Sequence, residues 1–235
     1  NMGAELGVTT SVFPSDDITR AFMLAQAREI SWREILPDPD AVYDRTVEID
    51  LDRLEPMIAR PHSPDNIEKV SALKGMKIDQ VAIGSCTNSS YRDLATVAAI
   101  VKGRKVHPDV SLAIAPGSRQ VFEMIARDGA LADMIAAGAR IMESACGFCI
   151  GAGQAPQTGG VSLRTNNRNF EGRSGTNSAQ VYLVSPETAA LSALAGELVD
   201  PMDVSAEMYP AVNAPESFII DDSMIIPPSD TTAPV

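Results

Sequence analysis

Cys86, Cys146 and Cys149 are the only cysteines in 235 residues. An odd number, and too few for a disulfide framework in a chain this long, points to free thiols in a reducing compartment. A cytoplasmic location is therefore expected. Cys146 and Cys149 form a Cys-x-x-Cys pair, which serves as a redox dithiol, half a zinc site or part of an iron–sulfur site. A redox dithiol has no use for Cys86. A structural zinc site prefers four closed ligands, and only His62 and His107 are histidines. His107 stands in a polar Lys-Val-His-Pro turn and reads as simply exposed. Three thiols without an evident fourth ligand suit a cluster with one iron left open, although spacing alone leaves zinc and iron–sulfur evenly matched. Arg164, Arg168 and Arg173 follow the cysteine pair. A guanidinium fork grips carboxylates in two-pronged fashion, but a surface salt bridge is the default reading of Arg168 and Arg173.

The surrounding elements place the thiols together. Val81-Ala82-Ile83 reads as a short buried strand ending just before Cys86, and Ala139 to Met142 as another ending just before Cys146. Between them lie a helix over 90–102, a strand from Val110 to Ala115, and helices after Ser118 and over 129–137. Gln180 to Val184 is a further strand. Ser185 then caps an Ala/Leu-rich helix with Pro186 at its first position. Strands alternating with helices predict an α/β fold, a three-layer doubly wound parallel sheet. In such sheets ligands bind outside the carboxyl ends of the strands, the edge that all three cysteines share. Gly84, Gly147, Gly151 and Gly153 leave room there, and Asn88 and Ser89 offer hydrogen bonds to sulfur.

Upstream, residues 8–12 suggest a short strand, 16–29 a helix capped by Ser15, and Tyr43 to Leu51 a strand by alternation. The proline-bearing stretch 55–66 reads as a linker, as does the tail after Pro201. The expected domains are 1–62, the end of a preceding domain with its linker; 63–205, the thiol-bearing domain; and 206–235, the start of a linker onward. The first residues look like the middle of a longer protein. Against 31 acidic residues stand 19 basic ones, a net charge of −12. That balance argues against a nucleic-acid surface, and no apolar run is long enough to span a membrane. An anionic substrate must then be gathered by local arginines against the overall field.

Four segments resemble those of the aconitase superfamily, in the family's order. Gly84-Ser85-Cys86-Thr87-Asn88-Ser89-Ser90-Tyr91 resembles the first cluster motif, and Ala145-Cys146-Gly147-Phe148-Cys149-Ile150-Gly151 the second. Asn167-Arg168-Asn169-Phe170-Glu171-Gly172-Arg173 resembles the substrate-arginine motif, and Asn1-Met2-Gly3-Ala4-Glu5 with Thr9-Thr10-Ser11 an upstream signature. The wording from Gly151 to Thr165 looks most like shorter single-chain bacterial aconitases. Phe148 departs from the pattern, since the family usually carries proline there.

The resemblance implies a 4Fe–4S cluster ligated by Cys86, Cys146 and Cys149. It implies dehydration and rehydration of a hydroxy-tricarboxylate, citrate to isocitrate through cis-aconitate, as in the tricarboxylic acid cycle. The alternatives are 3-isopropylmalate or homoaconitate dehydratase large-subunit activity, or a non-catalytic iron–sulfur protein. By resemblance Glu5 lies near the substrate hydroxyl, Asn1, Asn88 and Asn167 near the cluster, and Arg168 and Arg173 at the substrate carboxylates. Arg164 matches no family role, and solvent exposure is its default. The expected partners are a small di- or tricarboxylate and the missing remainder of an aconitase chain or a small subunit. This stretch alone should turn over little or nothing.

Overall fold

The computed structural model describes residues 7–226. It divides into two compact units, one made of Pro37–Ala214 with the residues up to Phe13, the other of Pro14–Leu36 with the residues from Pro215. Among the described residues no helix is long and apolar enough to cross a membrane.

The smaller unit is built on α1 (Asp17–Ala25). Asp16, not Ser15, caps it by accepting from the Thr19 backbone N–H at 3.0 Å; Ser15 instead bridges to Ile35. The helix stops four residues short of expectation at Ala25. Ala27 then takes a left-handed turn, a conformation that cannot continue an α-helix. Phe22 and Phe218 meet edge-to-face at 5.6 Å.

The larger unit carries a seven-stranded sheet. Its strands are β1 (Met57–Ala59), β2 (Ile67–Lys69), β3 (Gln80–Gly84), β4 (Ser111–Ala115), β5 (Arg140–Ile141), β6 (Val161–Arg164) and β7 (Gln180–Leu183), in the order β2-β1-β7-β6-β3-β4-β5. From β7 through β5 all neighbours run parallel, while β1 and β2 add an antiparallel edge. The helices are α2 (Val70–Leu73), α3 (Tyr91–Val101), α4 (Arg119–Arg127), α5 (Ala130–Ala137) and α6 (Pro186–Ala195). The expected α/β fold is present, and it is mostly parallel.

Side-chain size divides the sheet's two faces. Parallel pairing aligns Val81 and Ile83 with Leu112 and Ile114 and Val81 with Leu163. These residues join Leu94, Val97, Ile100 and Val101 of α3 and Ala189, Ala190, Leu191 and Ala193 of α6 in one core. The spacing of the α3 residues is the apolar stripe of a helix lying on a sheet. Ser90 fixes where α3 begins, through a capping box with Asp93. On the other face stand Gln80, Ala82, Ala113, Ala115, Ser162 and Arg164. They are small or polar, and among the described residues no α-helix covers them. Instead Phe148 and Cys149 pack onto Ala82 and Ala115, so the cysteine loop forms the third layer.

Four segments differ from the sequence reading, the first being residues 8–12, which form no strand. Tyr43 to Leu51 forms no strand, and all its residues are exposed; alternation without a neighbouring ladder does not hold a strand. The stretch 55–66 is not a plain linker, because it contains β1 and the turn of the β1–β2 hairpin. The tail after Pro201 does not leave the core at once, since Val204 and Met208 pack against it. β6 escaped the sequence reading because its alternation puts Ser162 and Arg164, two polar residues, into the interior.

Gly84 ends β3 with φ +107, and a Cβ there would collide with the Ala115 carbonyl oxygen. Gly103 is also left-handed, at φ +69, but has open space around it. Gly103→Ala should therefore cost only the left-handed backbone penalty, about 1–2 kcal/mol. Gly84→Ala should cost more than about 3 kcal/mol, because the strand end must shift as well. Urea unfolding of the two variants side by side measures the difference.

Candidate functional site

β3 and β6 are hydrogen-bonded neighbours, yet the chain leaves them in opposite directions, β3 toward β4 and β6 toward β7. Such a reversal of strand order opens a crevice at the carboxyl ends of the two strands. Thr165, fully buried just past β6, ties the crevice floor together. Its hydroxyl accepts from the Gly84 N–H at 2.8 Å, its own N–H reaches the Ala82 carbonyl at 3.1 Å, and its carbonyl accepts from the Asn88 amide at 2.7 Å.

Cys86 sits on the turn after β3. Ser85 and Asn88 hold left-handed backbone at φ 86 and φ 55, uncommon for residues with a Cβ. The turn leaves Cys86 exposed between buried Ser85 and Thr87. Left-handed residues off glycine cost free energy and cluster where geometry is needed for function.

Cys146 and Cys149 lie on the loop after β5. Cys146 is exposed and Cys149 buried. Phe148–Ile150 makes one 3-10 turn, closed by left-handed Gly151. Phe148 is 1% exposed, so the residue that departs from the family pattern is the hydrophobic anchor of the loop. Cys149 donates to the Ser85 hydroxyl at 3.1 Å and receives the Asn166 amide at 2.6 Å. The Oδ1 of Asn166 is buried without a hydrogen-bond partner.

The arginine segment packs against the same loop. A Cβ on Gly151 would strike the Ser174 carbonyl, so the backbone beside Arg173 touches the cysteine loop directly. Thr176 donates to the Pro156 carbonyl at 2.7 Å. Asn169, fully buried, donates to the carbonyls of Arg60 and Val181 at 2.9 and 3.1 Å and so pins the segment to the sheet. Asn167, Arg168 and Arg173 are all half-buried. Asn1 and Glu5 lie outside the described residues. Asn88 stands two residues from Cys86, and its side-chain amide donates to the Thr165 backbone carbonyl.

The thiols act on one another. Hydrogen bonding from the Thr87 hydroxyl lowers the Cys86 pKa, with Ser85 and Cys146 contributing in the same direction. The Cys146 pKa is raised, first by charge on Cys149 and also by Cys86. Each thiol that ionises makes ionisation of Cys146 harder, a repulsion that a bound cation would relieve. Among the described residues no three His, Cys, Asp or Glu side chains converge as a single metal ion requires. The two exposed thiols, the glycine-lined loop and the Asn166 amide donated to sulfur fit an iron–sulfur group in chemistry. His107 does not join them. It lies between α3 and β4, at the amino edge of the sheet, and packs against Gly196.

One residue of the site was misread from sequence. Arg164, expected in solvent, is 1% exposed. Its guanidinium lies beneath the cysteine loop and donates to the Phe148 carbonyl. Alternation along β6 was the signal that could have found it, because Ser162 and Arg164 must face the same side as Ala82.

Comparison with known proteins accords with this arrangement. The aconitase family (aconitate hydratase) profile matches residues 1–75 and 66–196. The chain is 41% identical over 208 residues to the 3-isopropylmalate dehydratase large subunit 2 of Rubrobacter xylanophilus, covering 88% of this chain and 49% of that protein. It is 43% identical over 202 residues to the large subunit 1 of the same enzyme in Methanopyrus kandleri, covering 86% and 48%. With the large subunit 1 from Thermotoga maritima it shares 41% over 204 residues, covering 86% and 49%. The chain thus spans about half the length of the curated relatives it matches. With its profile match, its relatives and its cysteine crevice in agreement, the chain belongs to the aconitase family.

Proposed function

We propose that this chain forms the cluster-binding half of a hydro-lyase that removes and re-adds water on a small hydroxy acid bearing several carboxylates. The observation that carries the reading is the meeting of the three-thiol edge with the Arg168–Arg173 segment at one crevice. Cys86, Cys146 and Cys149 are the ligands of a 4Fe–4S cluster in this reading. When bound, the cluster supplies a Lewis acid for the substrate hydroxyl.

The chain's own residues do the rest. Arg168 and Arg173 hold substrate carboxylates, which orients the carbon bearing the hydroxyl toward the thiol edge. The Asn166 amide and the Ser85 hydroxyl hydrogen-bond the Cys149 sulfur and fix its direction. Asn88 locks the Cys86 turn to β6, and Asn167 stands beside the same edge. Glu5 and Asn1 keep the places that their motif suggests, Glu5 near the substrate hydroxyl and Asn1 near the cluster. The small-subunit partner, or the remainder of the chain, supplies what this half lacks, including a further wall for the substrate.

The substrate reading changes in light of the relatives. The expectation of citrate and isocitrate, with a place in the tricarboxylic acid cycle, loses its support, because the relatives above are 3-isopropylmalate dehydratase large subunits. A malate carrying an alkyl group is the better candidate. In the complete enzyme, kcat/KM for 3-isopropylmalate should exceed that for citrate by about a hundredfold or more. Faster turnover of citrate would restore the first reading.

The ligand set is tested by single substitutions. Each of Cys86→Ser, Cys146→Ser and Cys149→Ser should lose bound iron and the broad visible absorption of the reconstituted enzyme. Activity should fall by more than about a hundredfold in each, beyond the usual cost of changing a residue that only supports a ligand. Wild-type iron in any of the three removes that cysteine from the set.

Arg173→Lys keeps the charge but loses the two-pronged grip. It should lower kcat/KM by about ten- to a hundredfold, the worth of a charge-assisted hydrogen bond of about 1.5–3 kcal/mol. Iron content should not change. Measuring both quantities on one preparation separates substrate holding from cluster building.

A further inference from the structure

Arg164 heads the fully buried large side chains of the protein. It leaves β6 level with Ala82, on the face that the cysteine loop covers. Its Nη1 donates to the Phe148 carbonyl. Its Nη2 donates to the Gln80 side-chain oxygen at 2.9 Å and the Gln154 carbonyl at 3.1 Å. Its Nε donates to the Ser162 hydroxyl at 3.1 Å, and its guanidinium lies 5.9 Å from the centre of the Phe148 ring. Gln80, itself 5% exposed, continues the network by accepting from Ser162 at 2.7 Å and donating to the Ala155 carbonyl at 3.1 Å. The cysteine loop is therefore held at both feet, at Phe148 on the way in and at Gln154 and Ala155 on the way out.

All of these acceptors are uncharged. A guanidinium buried among neutral groups is costly, and a neutral glutamine would avoid that cost. Burial lowers the Arg164 pKa to about 10, and Cys149 pulls it back upward, so the side chain remains a cation at neutral pH. The carbonyl its Nη1 holds belongs to Phe148, the residue next to Cys149, so the charge lies directly beneath the loop that carries the thiols.

We infer that Arg164 is a positioning residue that clamps the Cys-x-x-Cys loop to β3 and β6 and supplies the buried positive charge facing the thiolate-ligated group. The inference rests on the cluster reading proposed above. A fixed cation beside a cluster favours its more reduced, more negative form, and a clamped loop keeps iron from leaving.

The test uses the complete enzyme with its cluster reconstituted. Arg164→Gln removes charge and clamp together, so the reduction potential should fall and chelator-driven iron loss should speed up about tenfold. Arg164→Lys keeps the charge without the fork, so iron loss should again speed up while the potential stays near that of the wild type. Gln80→Glu covers the case in which neither Arg164 variant folds. It gives the buried guanidinium a carboxylate partner and keeps every Arg164 bond to the loop, so it should fold; it gives up only the donor to the Ala155 carbonyl, so iron loss should speed up less than in Arg164→Gln, while its potential should fall because the cation is neutralised. A wild-type potential in Gln80→Glu overturns the charge role. Wild-type iron retention in a folded Arg164→Gln overturns the clamp. If the wild-type enzyme itself takes up no cluster, the cluster reading fails and this inference goes with it; if the wild type loads and the variants match it, only the role of Arg164 falls.

Discussion

Two neighbouring parallel strands, β3 and β6, send the chain away in opposite directions, and the site follows from that. Connections between parallel strands are almost always right-handed. Moving one way from β3 to β4 and β5 therefore puts the helices on one face. Returning across the sheet from β5 to β6 puts the connection on the other. The returning segment is the cysteine loop, and the crevice it borders lies at the end of β3, where Cys86 already waits. Thr165 spans that point with hydrogen bonds to both strands' ends, so the position of each cysteine depends on the pairing of β3 with β6.

The loop can lie that close only because one face of the sheet is nearly bare. Ala82 and Ala115 offer a flat floor for Phe148 and Cys149, while larger side chains would lift the loop off the strand ends. The opposite face carries Val81, Ile83, Leu112, Ile114 and Leu163 against the helices. This aliphatic face supplies the apolar burial on which stability rests. The thin face can then carry buried polar groups, Gln80, Ser162 and Arg164, whose burial would be unfavourable unless each was hydrogen-bonded. Their bonds run to the backbone of the loop, which turns an energetic liability into a means of holding it.

Electrostatics follows the same division of labour. A chain with a net charge of −12 repels anionic ligands in general, and long-range attraction cannot gather one to its surface. Local groups must do so at short range. Arg168 and Arg173 stand half-buried beside the loop, where lowered dielectric strengthens each contact. Arg164 stands deeper, beneath the cysteine loop and hydrogen-bonded to its backbone. Three arginines close in sequence thus occupy different depths of one site.

Much of this was legible from residue order. The strands ending at Gly84 and near Met142, the capped helices between them and the shared edge of the three cysteines follow from local hydrophobic periodicity and from turn and cap chemistry. These depend on neighbours along the chain. What residue order did not carry was partnership across the chain. Tyr43 to Leu51 alternates like a strand but finds no ladder, whereas Val161 to Arg164 hides a central strand behind two polar residues. Arg164 looked like a solvated surface residue because its partners, Gln80, Phe148 and Gln154, come from distant segments that meet only when β6 inserts beside β3. Sequence sets which backbone shapes and ligands are available; the strand order decided which of them are buried and paired, because burial depends on what folds over a residue from elsewhere in the chain.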